Sequence, residues 1–285
     1  LYFAELRLLD TMVARRGHAA DGAIESAMTA LRTGDTELAR SVIARDNEID
    51  SAEHEIEHRC LTLFLRQQPV AGDLRKVSTA LKMVTDIERI ADQASDIAEI
   101  TLHLHPDGAR TVGVLDDLYA MGDIALHMVK DAIAAYVQVD LSTAAQVIAR
   151  DDDCDAMFSR ISKEIAAYIA AHPGDAETAL DLFMIDKYLE RLGDHAVNIA
   201  EWVEFLKTGA HTPRKLAQSG DTQAIFLLFS YTNQNGTCRK AGPVLAWREA
   251  ARRGQDPSLQ GTRERQFVGS GLDRSGCFAA ASASL

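Results

Sequence analysis

An acidic phrase written twice restricts the folds open to this chain more than any other feature. The first copy, Asp86 to Glu99, reads D-I-E-R-I-A-D-Q-A-S-D-I-A-E, and the second, Tyr188 to Glu201, reads Y-L-E-R-L-G-D-H-A-V-N-I-A-E. Alignment pairs Glu88 with Glu190, Arg89 with Arg191, Asp92 with Asp194 and Asp96 with Asn198, at an offset of 102. A second repeated phrase, V-I-A-R-D, occurs at Val42 to Asp46 and at Val147 to Asp151, offset by 105. Matching order with one small gap is the mark of an internal duplication. The gap falls in a Pro-containing turn, Gln67 to Asp73 in the first copy and His172 to Asp175 in the second.

Each copy predicts three long helices. In the first, apolar residues recur at spacings of three and four through Leu6, Leu9, Val13, Ile24, Ala27, Met28 and Leu31, up to a Thr33-Gly34-Asp35 turn. A second run uses Leu38, Val42, Ile49, Ile56, Cys60 and Leu63 and stops at Gln67-Gln68-Pro69. Asp73 offers an N-cap for a third run through Val77, Leu81, Val84, Ile87, Ala91, Ala94 and Ile97. His105-Pro106-Asp107-Gly108 separates the copies, and the second copy predicts helices near 112–139, 141–171 and 176–207. Runs of about 30 residues make helices about 45 Å long, and short connections make consecutive helices antiparallel neighbours. The expected fold class is all-α, with two tandem, sequence-related three-helix bundles over residues 1–104 and 112–207.

Charge sets the last part of the chain apart. From Arg214 onward there are 10 basic and 5 acidic residues, which leaves 20 basic and 37 acidic in residues 1–213. The helical body is therefore near −17 and the tail near +5. Residues 208–285 hold Gly and Ser clusters and no sustained periodicity, and are expected to be a disordered or non-native extension. An acidic body argues against nucleic-acid binding. No apolar stretch is long enough to span a bilayer. Cys60 falls on an apolar helix face and no C-x-x-C occurs, which points to buried thiols and a reducing compartment.

Glu-x-x-x-Asp places two carboxylates on one helical face, one turn apart, where they repel by a few tenths of a kcal/mol. Such a stripe reads as a solvated face or as one side of a cation site. Carboxylates on two adjacent helices make an oxygen-rich site suited to magnesium, calcium, manganese or iron. Asp46 and Asp50, and Asp151 and Asp155, stand on the neighbouring helix of each bundle. Glu55-Ile56-Glu57-His58 contains Glu-x-x-His, the inward motif of di-iron bundles, but Arg160 to Lys163 in the second copy does not repeat it. The same comparison leaves His195, opposite Gln93, as a ligand or an interhelical hydrogen-bonding group, and Arg89 and Arg191 as salt-bridging residues across the bundle.

Glu190-Arg191-Leu192-Gly193-Asp194-His195-Ala196, followed by Asn198-Ile199-Ala200-Glu201, resembles the signature of the PhoU family. The first-copy phrase and Gln67-Gln68-Pro69-Val70-Ala71-Gly72-Asp73-Leu74-Arg75 resemble earlier segments of the same family. The resemblance spans residues 5–207 and implies two three-helix bundles in a cytoplasmic, non-enzymatic regulator that restrains phosphate uptake and phosphate-starvation signalling. It implies as partners the ATP-binding subunit of the phosphate ABC transporter and a sensor histidine kinase, with a second copy of the chain as a further candidate. It also implies metal at the acidic motifs: Glu88 and Asp92 at one site, Glu190 and Asp194 at the other, with Asp46, Asp50, Asp151 and Asp155 as additional ligands. The cation would be iron, manganese, zinc or magnesium. The alternative from the residues alone is a carboxylate-bridged metalloenzyme, an oxidase or hydrolase.

Overall fold

The periodic runs become helices at nearly the positions their punctuation marks. A computed structural model describes residues 2–104 and 106–210, with the side chains of residues 46–52 and 106–108 outside that description. The first repeat contributes α1 (Tyr2–Thr33), α2 (Thr36–Gln67) and α3 (Ala71–His103). A short α4 (Pro106–Val112) follows, then α5 (Leu115–Gln138), α6 (Leu141–Ala171), a 3-10 turn at Pro173–Asp175 and α7 (Ala176–Thr208). Among the described residues every regular element is helical, so the all-α, twin three-helix-bundle expectation holds. The tail beyond residue 210, where the sequence predicts disorder, lies outside the described residues.

Two aligned aspartates start the second helix of each repeat. Asp35 accepts hydrogen bonds from the backbone N–H groups of Glu37 and Leu38 at 3.1 and 3.0 Å, and Asp140 accepts from Ser142 at 2.9 Å. Each satisfies donors that the first turn of a helix leaves without an intrahelical partner. Asp73 does not cap α3 as expected. The chain turns helical from Ala71, with Val70 at the cap position making no side-chain bond, so Asp73 falls inside the first turn and not at its start. Asp175, at the start of α7 in the second repeat, makes no cap bond and accepts the Tyr168 hydroxyl at 2.9 Å. The expected helix from residue 112 begins later, because Gly113 turns left-handed at φ 84° and divides α4 from α5.

The apolar stripes meet in two sequence-equivalent cores. Leu9, Ile24, Ile56, Met83, Ile87, Ile90 and Ile97 are fully buried in the first, and Leu118, Met121, Met128, Ile133 and Ile161 in the second. Burial of each such side chain is worth about 1.5 to 3 kcal/mol relative to exposure. Leu38 and Leu81, at the edges of their stripes, are half-buried.

The two bundles then pack on one another, α1 antiparallel to α5 and α3 antiparallel to α7. The contact is reciprocal. Gly17 of α1 sits against Ile133 of α5, and Gly122, its counterpart 105 residues on, sits against Met28, the counterpart of Ile133. A Cβ on Gly17 would lie 2.6 Å from Ile133 Cδ1 and 2.9 Å from its Cγ1 and Cγ2, so this glycine lets the helices approach closely, whereas at Gly122 the neighbour is the flexible end of Met28. Lys130 donates to Glu25 at 3.3 Å, and these two residues are themselves counterparts. On the other side Asn198 donates to Asp86 at 3.0 Å, while Tyr188, the counterpart of Asp86, hydrogen-bonds Asp96, the counterpart of Asn198. One local two-fold relation therefore organises all seven α-helices but the connecting α4.

Candidate metal centres

In the second repeat all four expected carboxylates lie on the faces that α6 and α7 turn toward each other. Asp151 and Asp155 are one turn apart on α6, as are Glu190 and Asp194 on α7. Between them lies Cys154, whose thiol is pushed up to about 12 by burial first, and then by the negative fields of Asp151, Asp155, Glu190 and Asp194. Gly193 explains how the two helices come so close. A Cβ there would meet Cys154 Sγ at 3.3 Å and Asp151 Oδ1 at 3.7 Å. Asp151 is buried, with 6% of its surface exposed. Lys187 donates to Glu190 at 2.6 Å, which supplies one positive charge at the rim. The donor set is oxygen-rich, but no three described His, Cys, Asp or Glu side chains gather closely enough to hold a metal ion.

The first repeat offers a different arrangement. Arg89 does not reach across the bundle as the sequence reading expects. Its Nε lies 3.4 Å from Glu88 and its Nη1 3.4 Å from Asp92, so it clasps the two carboxylates of its own helix. Glu88 is its chain neighbour and Asp92 stands at (i, i+3), so both anions are within reach on its own helix. Asp46 and Asp50 belong to α2, but their side chains lie outside the described residues. Asp96, the third member of the first stripe, turns toward the second repeat. Burial raises its pKa, as do Glu99 and Asp92, while the Tyr188 hydroxyl and Arg191 oppose the rise. Arg191 thus acts between repeats although Arg89 does not.

His195 makes the interhelical hydrogen bond of its second reading. Its Nδ1 lies 2.9 Å from Asp86 Oδ1, the same oxygen that accepts from Asn198, so an Nδ1–H would donate across the seam between repeats. The Glu-x-x-His segment is also accounted for: Arg59 donates to Glu55 at 3.2 Å and to Glu5 of α1 at 3.0 Å. Cys60 is buried as expected, its thiol pushed up to about 12 chiefly by burial.

Sequence reasoning missed Asp186. It is fully buried, accepts a hydrogen bond from Ser162 at 2.9 Å, and its carboxyl is pushed up to about 7 by burial and, secondarily, by Glu190. A signal was present, because the counterpart of Asp186 is Val84 in the first repeat. An aspartate at a position where its twin is a core valine marks a buried polar group.

Fold and sites together define a class: a duplicated helical-bundle protein with paired acidic faces, built by tandem repetition. Comparison with known proteins gives the class its family. The PhoU domain matches residues 13–101 and again 118–203. The chain is 34% identical over 210 residues to the phosphate-specific transport system accessory protein PhoU homolog of Clostridium acetobutylicum, covering 73% of this chain and 95% of that one. It is 33% identical over 208 residues to the homolog of Caulobacter vibrioides, covering 73% and 90%. The crystal structure of PhoU from Pseudomonas aeruginosa superposes with a TM-score of 0.69 at 30% identity, covering 74% of this chain and 100% of that one. The phosphate transport system regulatory protein PhoU of Streptococcus pneumoniae gives a TM-score of 0.69 at 26% identity, covering 75% and 100%. This chain belongs to the PhoU family.

Proposed function

We propose that this chain is a cytoplasmic, non-enzymatic regulator that restrains phosphate uptake and phosphate-starvation signalling. Its partners in this reading are the ATP-binding subunit of a phosphate ABC transporter and a sensor histidine kinase. The observation that carries it is the match of both repeats, in order, to relatives named as phosphate-transport accessory proteins, nearly the whole of which this chain covers. Among the described residues no helix is long and apolar enough to cross a membrane, in keeping with action on a transporter from outside the bilayer.

The same reading gives the acidic faces a cation. Asp151, Asp155, Glu190 and Asp194 would hold it in the second repeat, and Glu88, Asp92, Asp46 and Asp50 in the first. Iron, manganese, zinc or magnesium would supply positive charge there. The chain's own contribution is the close approach of α6 and α7 at Gly193, which sets like charges against each other around Cys154. Offsetting that repulsion would stiffen the α6–α7 pair and raise the melting temperature. The alternative is a carboxylate-bridged enzyme, and in its Glu-x-x-His segment Glu55 accepts from Arg59.

Two measurements on the full chain test this. Elemental analysis should find stoichiometric metal that is lost when Glu88, Asp92, Glu190 and Asp194 are changed to Ala. A wild-type chain that retains none after equilibration with the four metals removes the cation from the reading. Co-purification should recover the transporter ATPase or the kinase, and failure to bind either one defeats the regulatory proposal.

A further inference from the structure

A cavity of about 460 Å³ opens between the start of α1 and the last turns of α2, away from the acidic faces. Its size is that of a small-molecule pocket. Along α2 its wall is a stripe of hydrogen-bonding side chains. His58, Thr62 and Arg66 stand four residues apart and therefore share one face, a turn between each.

The two ends of the cavity differ in charge. At one end Arg59 lies 3.0 Å from Glu5 and 3.2 Å from Glu55, so a single guanidinium is shared by two carboxylates. At the other end Arg66 is exposed and, among the described residues, makes no ion pair. Helix α2 also ends here, at Gln67, and its last carbonyls carry the negative pole of the helix dipole. Arg66 is therefore the group that makes this end attractive to an anion. The twin repeat shows that the fold does not demand these donors. At the offset of 105, Thr62 and Arg66 correspond to Ala167 and Ala171, in a helix just as regular.

We propose that this cavity binds a nucleoside monophosphate, with the phosphate at Arg66 and the nucleoside toward Glu55. The Arg66 fork, the Thr62 hydroxyl and the Gln67 amide are donors for phosphate oxygens. Glu5 and Glu55 keep lone pairs beyond those that Arg59 uses, and accept from the hydroxyl and amino groups of a sugar and a base. The same carboxylates repel a second anionic group, so a polyphosphate lying along the cavity is disfavoured. From Glu55 to Arg66 the helix rises about 16 Å. A phosphorylated hexose is too short to engage side chains at both ends, whereas a nucleotide is long enough. Between the ends the His58 imidazole presents a flat face and Leu63, 3% exposed, an apolar floor against which a base can lie.

Equilibrium dialysis of the full chain against adenosine 5′-monophosphate tests this, in EDTA so that no cation bridges the nucleotide to the acidic faces. The wild type should bind one equivalent. Adenosine alone and inorganic phosphate alone should compete at least tenfold more weakly than the whole nucleotide. Arg66→Ala should weaken binding about tenfold or more, as for a lost hydrogen bond to a charged group, and Thr62→Ala about two- to tenfold. Arg66→Lys should restore part of the loss, because it keeps the charge without the fork. Both positions are alanine in the twin helix, so these variants should keep their fold. Arg7→Ala removes an exposed cation of α1 outside the cavity and should bind like wild type. A wild type that does not saturate at millimolar nucleotide overturns the proposal. So does an affinity that Arg66→Ala leaves unchanged, or that Arg7→Ala lowers equally, since either result means unspecific attraction. Inorganic phosphate or tripolyphosphate binding as tightly as the nucleotide overturns it too, because the site then reads charge alone.

Discussion

Asp186→Asn should flatten part of the chain's stability–pH curve. Asp186 has no exposed surface, its Oδ1 has no hydrogen-bond partner, and its carboxyl titrates near 7 against an ordinary value of 3.8. A carboxyl raised on folding binds its proton more tightly in the native state. Its contribution is therefore fully present below about pH 4 and is lost as pH rises toward and through 7. Working from those two values, raising the pH from 5 to 8 removes roughly 2 to 3 kcal/mol through this one group. Asn keeps the shape and can still accept from the Ser162 hydroxyl, but it does not titrate. Urea unfolding of wild type and variant at pH 5 and pH 8 isolates the residue, because every other titrating group is common to both. The gap between variant and wild type should move in the variant's favour by about that amount at pH 8. Parallel curves, within about 0.5 kcal/mol, would show that Asp186 is ionised in the folded chain and refute the reasoning.

The contact between repeats makes an unequal pair of predictions. Gly17→Ala drives a Cβ into Ile133, whose Cγ1 and Cγ2 both stand 2.9 Å away, and should cost about 1 to 3 kcal/mol by thermal or urea unfolding. Gly122→Ala meets only the flexible end of Met28 and should cost distinctly less; equal losses would contradict the packing described. Asp35→Ala should cost about 1 kcal/mol through loss of the α2 cap, with Asp35→Asn close to wild type by the same assay.

Much of this fold is legible in the sequence because its helices are long, amphipathic and written twice. Where Leu6, Leu9 and Val13 fix a stripe and Gly34 ends it, periodicity and turn chemistry agree, and all three residues are buried. Periodicity cannot show which side-chain partner a polar residue takes. Asp73 looks like a cap because capping residues precede apolar runs, yet the helix has already begun at Ala71 and Asp73 lies within its first turn. Arg89 looks like a cross-bundle bridge, yet two carboxylates on its own helix stand nearer. The convergence of Asp151, Asp155, Glu190 and Asp194 on one α6–α7 space follows from helix spacing, whereas the seam built by Asp86, His195 and Asn198 needs the packing of two repeats to appear.

The facing of Glu25 and Lys130 bears on why the repeats share one chain. In a symmetric pair of identical subunits, a position that meets its own twin must carry the same residue on both sides, and a charged one would repel itself. Fusion removes that constraint. Once the halves could mutate separately, self-facing positions were free to become opposites, and Glu25 against Lys130 is an arrangement no two-fold homodimer can encode. The same freedom lets Asp96 in one half face Tyr188 while its twin, Asn198, faces Asp86. The two acidic faces are thus independently adjustable parts of one gene product, and selection can tune one without touching the other.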